Sequence, residues 1–188
     1  MSSARRWRAL GLVCAFAFDL ACAPDREPKL GERDVAPLHA CGDELALNGR
    51  VADAAHILTE ATRARLHYVL QGYERRTQHQ FVVVTVPTLG GSDLVLFSVR
   101  LFRRWGIGRR GVNDGMSLLV APNEQRVRIE VGYGLERALP DDAAAKIIRE
   151  VTLPRFKDGD LSGGIEATVT AVIARVDQAE RKATPRVL

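Results

Sequence analysis

No run of apolar residues in this 188-residue chain approaches the roughly 20 that a bilayer-spanning helix needs. The longest, Ala9 to Phe18, is ended after ten residues by Asp19. Cysteine is scarce: only Cys14, Cys22 and Cys41 occur. Structural zinc takes four ligands, and His39, His56, His67 and His79 show no ligand spacing to complete a site with the cysteines, so a structural zinc site is not expected. The usual signatures of phosphoryl transfer are missing too, with no P-loop, no Cys-x5-Arg loop and no Asp-x-Asp at a strand end. There is no internal repeat and no low-complexity tract.

What is present is a globular composition, 46% hydrophobic and 27% charged, which can bury enough apolar surface to offset chain entropy. The length suits one domain plus a leader. Arg5, Arg6 and Arg8 precede the apolar run, the order of a secretory signal, so residues 1–21 are expected to be a signal peptide. Removing them deletes three arginines and Asp19 and brings the net charge from +4 to +2, so nucleic acid is not an expected partner. Asp19-Leu20-Ala21-Cys22 resembles a bacterial lipoprotein box, although Asp19 stands where the box has Leu and Leu20 comes one place late. Cleavage there would leave Cys22 as the lipid-attachment residue and Cys41 as a lone thiol. Without lipidation, Cys22 and Cys41 could pair in an oxidising envelope. Cleavage on the small-residue pattern Ala21-Cys22-Ala23 would be opposed by Pro24.

Residues 22–47, with Pro24, Pro28 and Pro37 and no apolar period, have the composition of a flexible linker. From 48 to 176, strand and helix signals alternate. Thr59 is placed to cap a helix that keeps Leu66, Val69, Leu70 and Tyr73 on one face. Phe81 to Val86 is a β-branched run suited to a central strand covered on both faces. Ser92 or Asp93 caps a second helix carrying Leu94, Phe97, Leu101, Phe102 and Trp105, ended by Gly106 and Gly108. Met116–Ala121 and Arg126–Val131 form a hairpin around Pro122 to Gln125, and Gly132-Tyr133-Gly134 bends the chain after it. A third helix is expected over Ala143–Leu153, stopped by Pro154. A last one, opened by Ser162 or Gly163, carries Ile165, Val169, Val172, Ile173 and Val176, leaving 177–188 as a polar tail.

Four pieces in this order carry a resemblance: Val51-Ala52-Asp53, Phe81 to Pro87 (FVVVTVP), Trp105 to Gly115 (WGIGRRGVNDG), and Val131 to Glu136 (VGYGLE). Together they resemble the TPM-domain family, and Leu153-Pro154-Arg155-Phe156 is similar to that family's Leu-or-Ile-Pro-x-Phe. The resemblance implies a three-layer α/β/α sandwich with a mostly parallel central sheet and flanking helices. The family groups a plant thylakoid-lumen protein of photosystem repair, an animal receptor-associated protein and many bacterial envelope proteins. The plant member is associated with acid phosphatase activity, and some members bind calcium. Many bacterial relatives carry a membrane helix and a glycine-rich tail after the domain; neither is visible here, and anchoring at Cys22 would substitute for them.

Asp53, Asp114, Glu136 and Asp141 lie in loops around the expected strands and supply the hard oxygens that calcium prefers, which makes them the candidate metal ligands. The competing reading of Asp141, with Asp142, is a carboxylate stabilised in the first turn of a helix. Arg104, Arg109 and Arg110, with Arg100 and Arg103, could hold an anion such as a phosphate or lipid headgroup; the alternative is a solvated outer face of the second helix, since Arg100, Arg103 and Arg104 fall opposite Phe97, Leu101 and Trp105. Tyr133 is either a lid over the acidic site or simple packing. The expectation is an exported, calcium-binding accessory module for assembly or repair of envelope or membrane proteins, lipid-anchored on the periplasmic side of a bacterial membrane. The alternative is a metal-dependent acid phosphatase acting on phosphomonoesters. It would need water activated on a bound ion, which calcium does poorly.

Overall fold

The computed structural model describes Leu45, Leu47 and residues 49–183. The expected signal peptide, Cys22 and Cys41 lie outside the described residues. The elements run β1 (Val51–Asp53), α1 (Glu60–Thr77), β2 (Gln80–Thr85), α2 (Leu94–Arg104), β3 (Gly115–Ala121) and β4 (Arg126–Val131). A 3-10 turn at Tyr133–Leu135 then leads into α3 (Asp141–Ile147), a wide π turn (Ile148–Thr152), α4 (Leu153–Lys157) and α5 (Leu161–Ala183). The four strands lie side by side in chain order. β1, β2 and β3 are parallel, and β4 returns antiparallel to β3.

Both expected caps form: the Thr59 hydroxyl accepts from Thr62 N–H, and the Asp93 carboxylate accepts from Val95 and Leu96 N–H. These satisfy donors that a helix start leaves without partners. β2 lies between β1 and β3 and is buried from Phe81 onwards, as its β-branched run requires. Its alternate side chains feed two cores. Phe81 and Val83, with Met116, Leu118 and Val120, meet Leu66, Leu70 and Tyr73 of α1 and Ile165, Val169, Val172 and Val176 of α5. Val82 and Val84, with Leu119 and Ala121, meet Phe97 and Leu101 of α2. The result is a three-layer sandwich, thick on the α1/α5 side and one helix deep on the other. Leu45 and Leu47 from the end of the expected linker also pack against the thinner core.

Strand order steps the same way from β1 to β2 and from β2 to β3, yet α1 and α2 cover opposite faces. The two crossovers therefore have opposite hands, and one is an exception to the strong right-handed preference of such connections. On the thick side, α1 and α5 run parallel and in register, since Arg65–Glu166, Arg76–Asp177 and His79–Glu180 share an offset of 101 residues.

Two expected boundaries move. Pro154 does not stop the third helix. Its missing N–H and bulky ring are accommodated by the π turn just before it, and the helix continues to Lys157. α5 begins at Leu161, with the Asp160 carboxylate accepting from Gly163 N–H, and it extends through the expected tail as far as Ala183. Asp177 and Glu180 belong to this extension and are held by Arg76 of the neighbouring α1 and His79 just after it.

Candidate functional site

The strand register sorts the candidate carboxylates. Asp53 is opposite Thr85 at the C-terminal end of the parallel strands, whereas Gly115, next to Asp114, is opposite Gln80 at their N-terminal end. Because β4 is antiparallel and Val131 lies across from Met116, the loop holding Glu136 returns to the Asp114 end. Five residues of strand rise, about 17 Å, separate the two ends. The structure thus brings Glu136 to the Asp114 end and leaves Asp53 at the other.

At the N-terminal end, two motif segments lock backbone to backbone. Gly132 N–H donates to Gly115 carbonyl at 2.8 Å and Gly134 N–H donates to Asn113 carbonyl at 2.9 Å. Glycine is required for this closeness, since a Cβ on Gly132 would fall against the Asn113 carbonyl oxygen; within the first segment Gly108 sits at φ +94°, and a Cβ there would lie 2.6 Å from Gly115 N. A Cβ on Gly134 would overlap the Val112 carbonyl oxygen. Close backbone contact thus explains Gly108 and Gly115 within the first motif and Gly132 and Gly134 of the second against it, whereas Gly106 and Gly111 have open space and serve by their positive φ.

Asp114 is the buried charge of this end, 1% exposed. Its Oδ1 accepts from Arg109 N–H at 2.8 Å, and its Oδ2 accepts from Arg109 Nε at 2.7 Å and lies 2.6 Å from Nη2. His79 Nδ1 is 3.3 Å from the same Oδ2, and His79 Nε2 is 2.6 Å from Glu180 Oε1. Burial alone would raise the Asp114 carboxyl, but the Arg109 side-chain and backbone donors, helped by His79, hold it below the ordinary carboxylate range. Beside His79 the Tyr73 ring is buried and its phenol is pushed up, first by burial and then by Asp177 and Glu180. The Tyr73 hydroxyl makes no hydrogen bond among the described residues.

The other candidates have different surroundings. Asp53 organises its own loop, its oxygens accepting from Ile57 N–H at 3.2 Å, Leu58 N–H at 3.1 Å and the Thr85 hydroxyl. Glu136 is exposed, and Asp141 is exposed in the first turn of α3. Arg109 is engaged by Asp114, Arg110 is exposed, and Arg104 at the end of α2 has a partner of its own. Calcium takes about six to eight oxygens. Among the described residues no group of three or more His, Cys, Asp or Glu converges to hold a metal, and the Asp114 oxygens already face a guanidinium and an imidazole. These residues do not fit a ready-made calcium cage. Sequence reading missed His79 and Glu180, which join Asp114 in one polar chain. The only signal available was Asp177 and Glu180 continuing the spacing of α5 beyond Val176.

Exposed on top of the locked loops are Val112, 46% accessible, and Tyr133, 76% accessible. Their backbones adjoin, since Gly134 rests against the Val112 carbonyl. Tyr133 therefore does not pack into the interior. The arrangement presents a firm surface with an aromatic and an aliphatic tip, flanked by Arg110 and Glu136.

A layered α/β domain whose glycine loops close one end of a mostly parallel sheet is the class defined by these features. The chain belongs to the TPM-domain family, whose model matches residues 51–175. It is similar to the solution structure of the N-terminal domain of a protein from P. gingivalis, at 34% identity and TM-score 0.65, covering 69% of this chain and 83% of that one. A protein of the psychrophilic bacterium Bizionia argentinensis shares the fold at 16% identity and TM-score 0.56, covering 65% and 83% of the two chains. So does an N-terminal domain from Corynebacterium glutamicum, at 12% identity and TM-score 0.53, covering 75% and 86%. No curated protein matches the chain.

Proposed function

We propose that this TPM-domain protein is a non-catalytic accessory module of the bacterial envelope that binds other envelope or membrane proteins through its glycine-locked loops. The observation that carries the reading is the exposure of Val112 and Tyr133 on a surface held from below by Gly108, Gly134 and the Arg109–Asp114 pair. Exposed apolar side chains on a stiff scaffold lose little entropy on docking. Export is supported by the basic leader and its apolar run. The test is a photo-crosslinking residue in place of Tyr133 in cells, which is expected to capture envelope proteins. Capture at an exposed control position such as Tyr68 but not at 133 would overturn the docking face.

Calcium and phosphatase chemistry are separate arms of the same test. Glu136 and Asp141 are exposed carboxylates near this end of the sheet, and a calcium-dependent rise in melting temperature, lost in Glu136→Gln, would place an ion beside the docking face. Turnover of a chromogenic phosphomonoester by the purified protein would overturn the non-catalytic reading.

A further inference from the structure

We propose that the loop end of the domain is a contact surface for an anionic membrane, a partner class that deepens the reading of this end as the working face and rests on it. The topology collects positive charge there. β1, β2 and β3 are parallel, so α1 and α2 must finish where β2 and β3 begin, and α5, parallel to α1, finishes at the same end. Each of these helices has cations in its last turn, and Arg75, Arg103, Arg181 and Lys182 are exposed.

Cations at helix C-termini are stabilised by the helix dipole and need no ligand to explain them. That account does not extend to Arg110 and Arg137, which are exposed in the loops between elements at the same end. Nor does it explain why Tyr133 and Val112 are held outward among them. Three acids that would offset this charge, Asp114, Asp177 and Glu180, are engaged by Arg109, Arg76 and His79, leaving Glu136, Asp141 and Asp142 as exposed acids near this end. The opposite end is mixed rather than basic: it presents Glu60, Asp93, Asp158 and Asp160 alongside Arg63, Arg126, Arg155 and Lys157, with Arg63 paired to Glu60 and Arg155 near Asp160. An outward tyrosine suits the headgroup layer, with one apolar and one polar end, while the surrounding arginines meet lipid phosphates. The chemistry matches a sheet of phosphates carrying an apolar layer beneath it, which a free phosphate in solution does not provide.

Co-sedimentation of the full chain with vesicles of phosphatidylglycerol and phosphatidylethanolamine tests this. Every variant keeps the same leader, so only the loop end differs. Binding should weaken about fivefold for each arginine neutralised, hence about 25-fold for Arg103→Gln with Arg110→Gln, and should fall with added salt. Tyr133→Ser should also weaken it, Lys157→Glu on the far side should not, and millimolar inorganic phosphate should not compete. Equal binding by wild type and the double variant would overturn the proposal, as would competition by inorganic phosphate or retention on duplex DNA without vesicle binding. Crosslinking of position 133 to an envelope protein, with no vesicle binding, would overturn the lipid surface and leave the accessory function standing.

Discussion

At the C-terminal end of the parallel strands, Asp53 accepts from two backbone N–H groups and a hydroxyl of its neighbour strand. At the N-terminal end, Asp114 is buried against a guanidinium and an imidazole. The first carboxylate shapes a turn, while the second ties together the α2–β3 loop, the start of β2 and the end of α5. Open α/β sheets usually bind ligands beyond the C-terminal ends of their strands, where strand order reverses. Here strand order runs straight across without reversal, and the motif loops gather at the other end. The difference teaches that the motif builds a surface, with its one buried charge used to stiffen that surface from below.

The comparison breaks hardest at the glycines. Gly134→Ala puts a methyl group into the Val112 carbonyl, a backbone atom that cannot swing aside. Overpacking costs about 1–3 kcal/mol, and against a backbone atom that cannot relax the upper end, about 3 kcal/mol, is expected. Urea denaturation should show at least that loss, or no folded protein, while Gly91→Ala, where the added carbon would meet nothing nearby, should lose only the strain of its positive φ, about 1 kcal/mol. A tolerated Gly134→Ala would mean the two loops are not locked.

The two carboxylates sharpen the comparison at smaller amplitude. Asp114→Asn removes the charge that Arg109 and His79 face. A fully buried pair so broken loses about 3 to 5 kcal/mol, and the half-exposed Arg109 side chain reduces this to about 2 to 3 kcal/mol. Asp53→Asn keeps one acceptor for the same turn and should lose about 1 kcal/mol, the scale of a cap. Both values come from urea midpoints. Equal losses at the two positions would remove the distinction between a turn carboxylate and a tying one.

Much of this was legible from residues alone. The β-branched run of β2, the caps at Thr59 and Asp93 and the β3–β4 hairpin follow from local pattern, because burial and capping act over a few residues. What local pattern does not carry is distance across the sheet. Asp53 and Asp114 both look like loop carboxylates beside strands, and only the parallel register puts them at opposite ends. The same holds for the opposite hands of the two crossovers and for the α1–α5 register, which alone brings Glu180 to His79. Pro154 misled for a different reason. Its usual effect on a helix is absorbed by a π turn whose Thr152 hydroxyl pairs with Thr168 of α5 at 2.6 Å, a tertiary contact that sequence spacing does not reveal.

Acid offers the finest test of the two ends. The Asp114 carboxyl is held below its ordinary value, so the folded state takes up its proton only at lower pH than the unfolded chain does. Its contribution is therefore complete above the unfolded carboxylate value of about 3.9 and is lost as pH falls through the lower folded value. Glu166, held low by Arg65, adds a contribution of the same sign, reduced because the pair is largely solvated. Melting temperature should thus fall as pH drops below about 4, in wild type most steeply. Asp114→Asn should start lower at neutral pH and descend less, so that the two curves converge in acid. Glu166→Gln should flatten the curve only slightly. Parallel curves for wild type and Asp114→Asn would mean that the Arg109 and His79 contacts do not favour the ionised carboxylate, and the stiffening assigned to the loop end would lose its electrostatic basis.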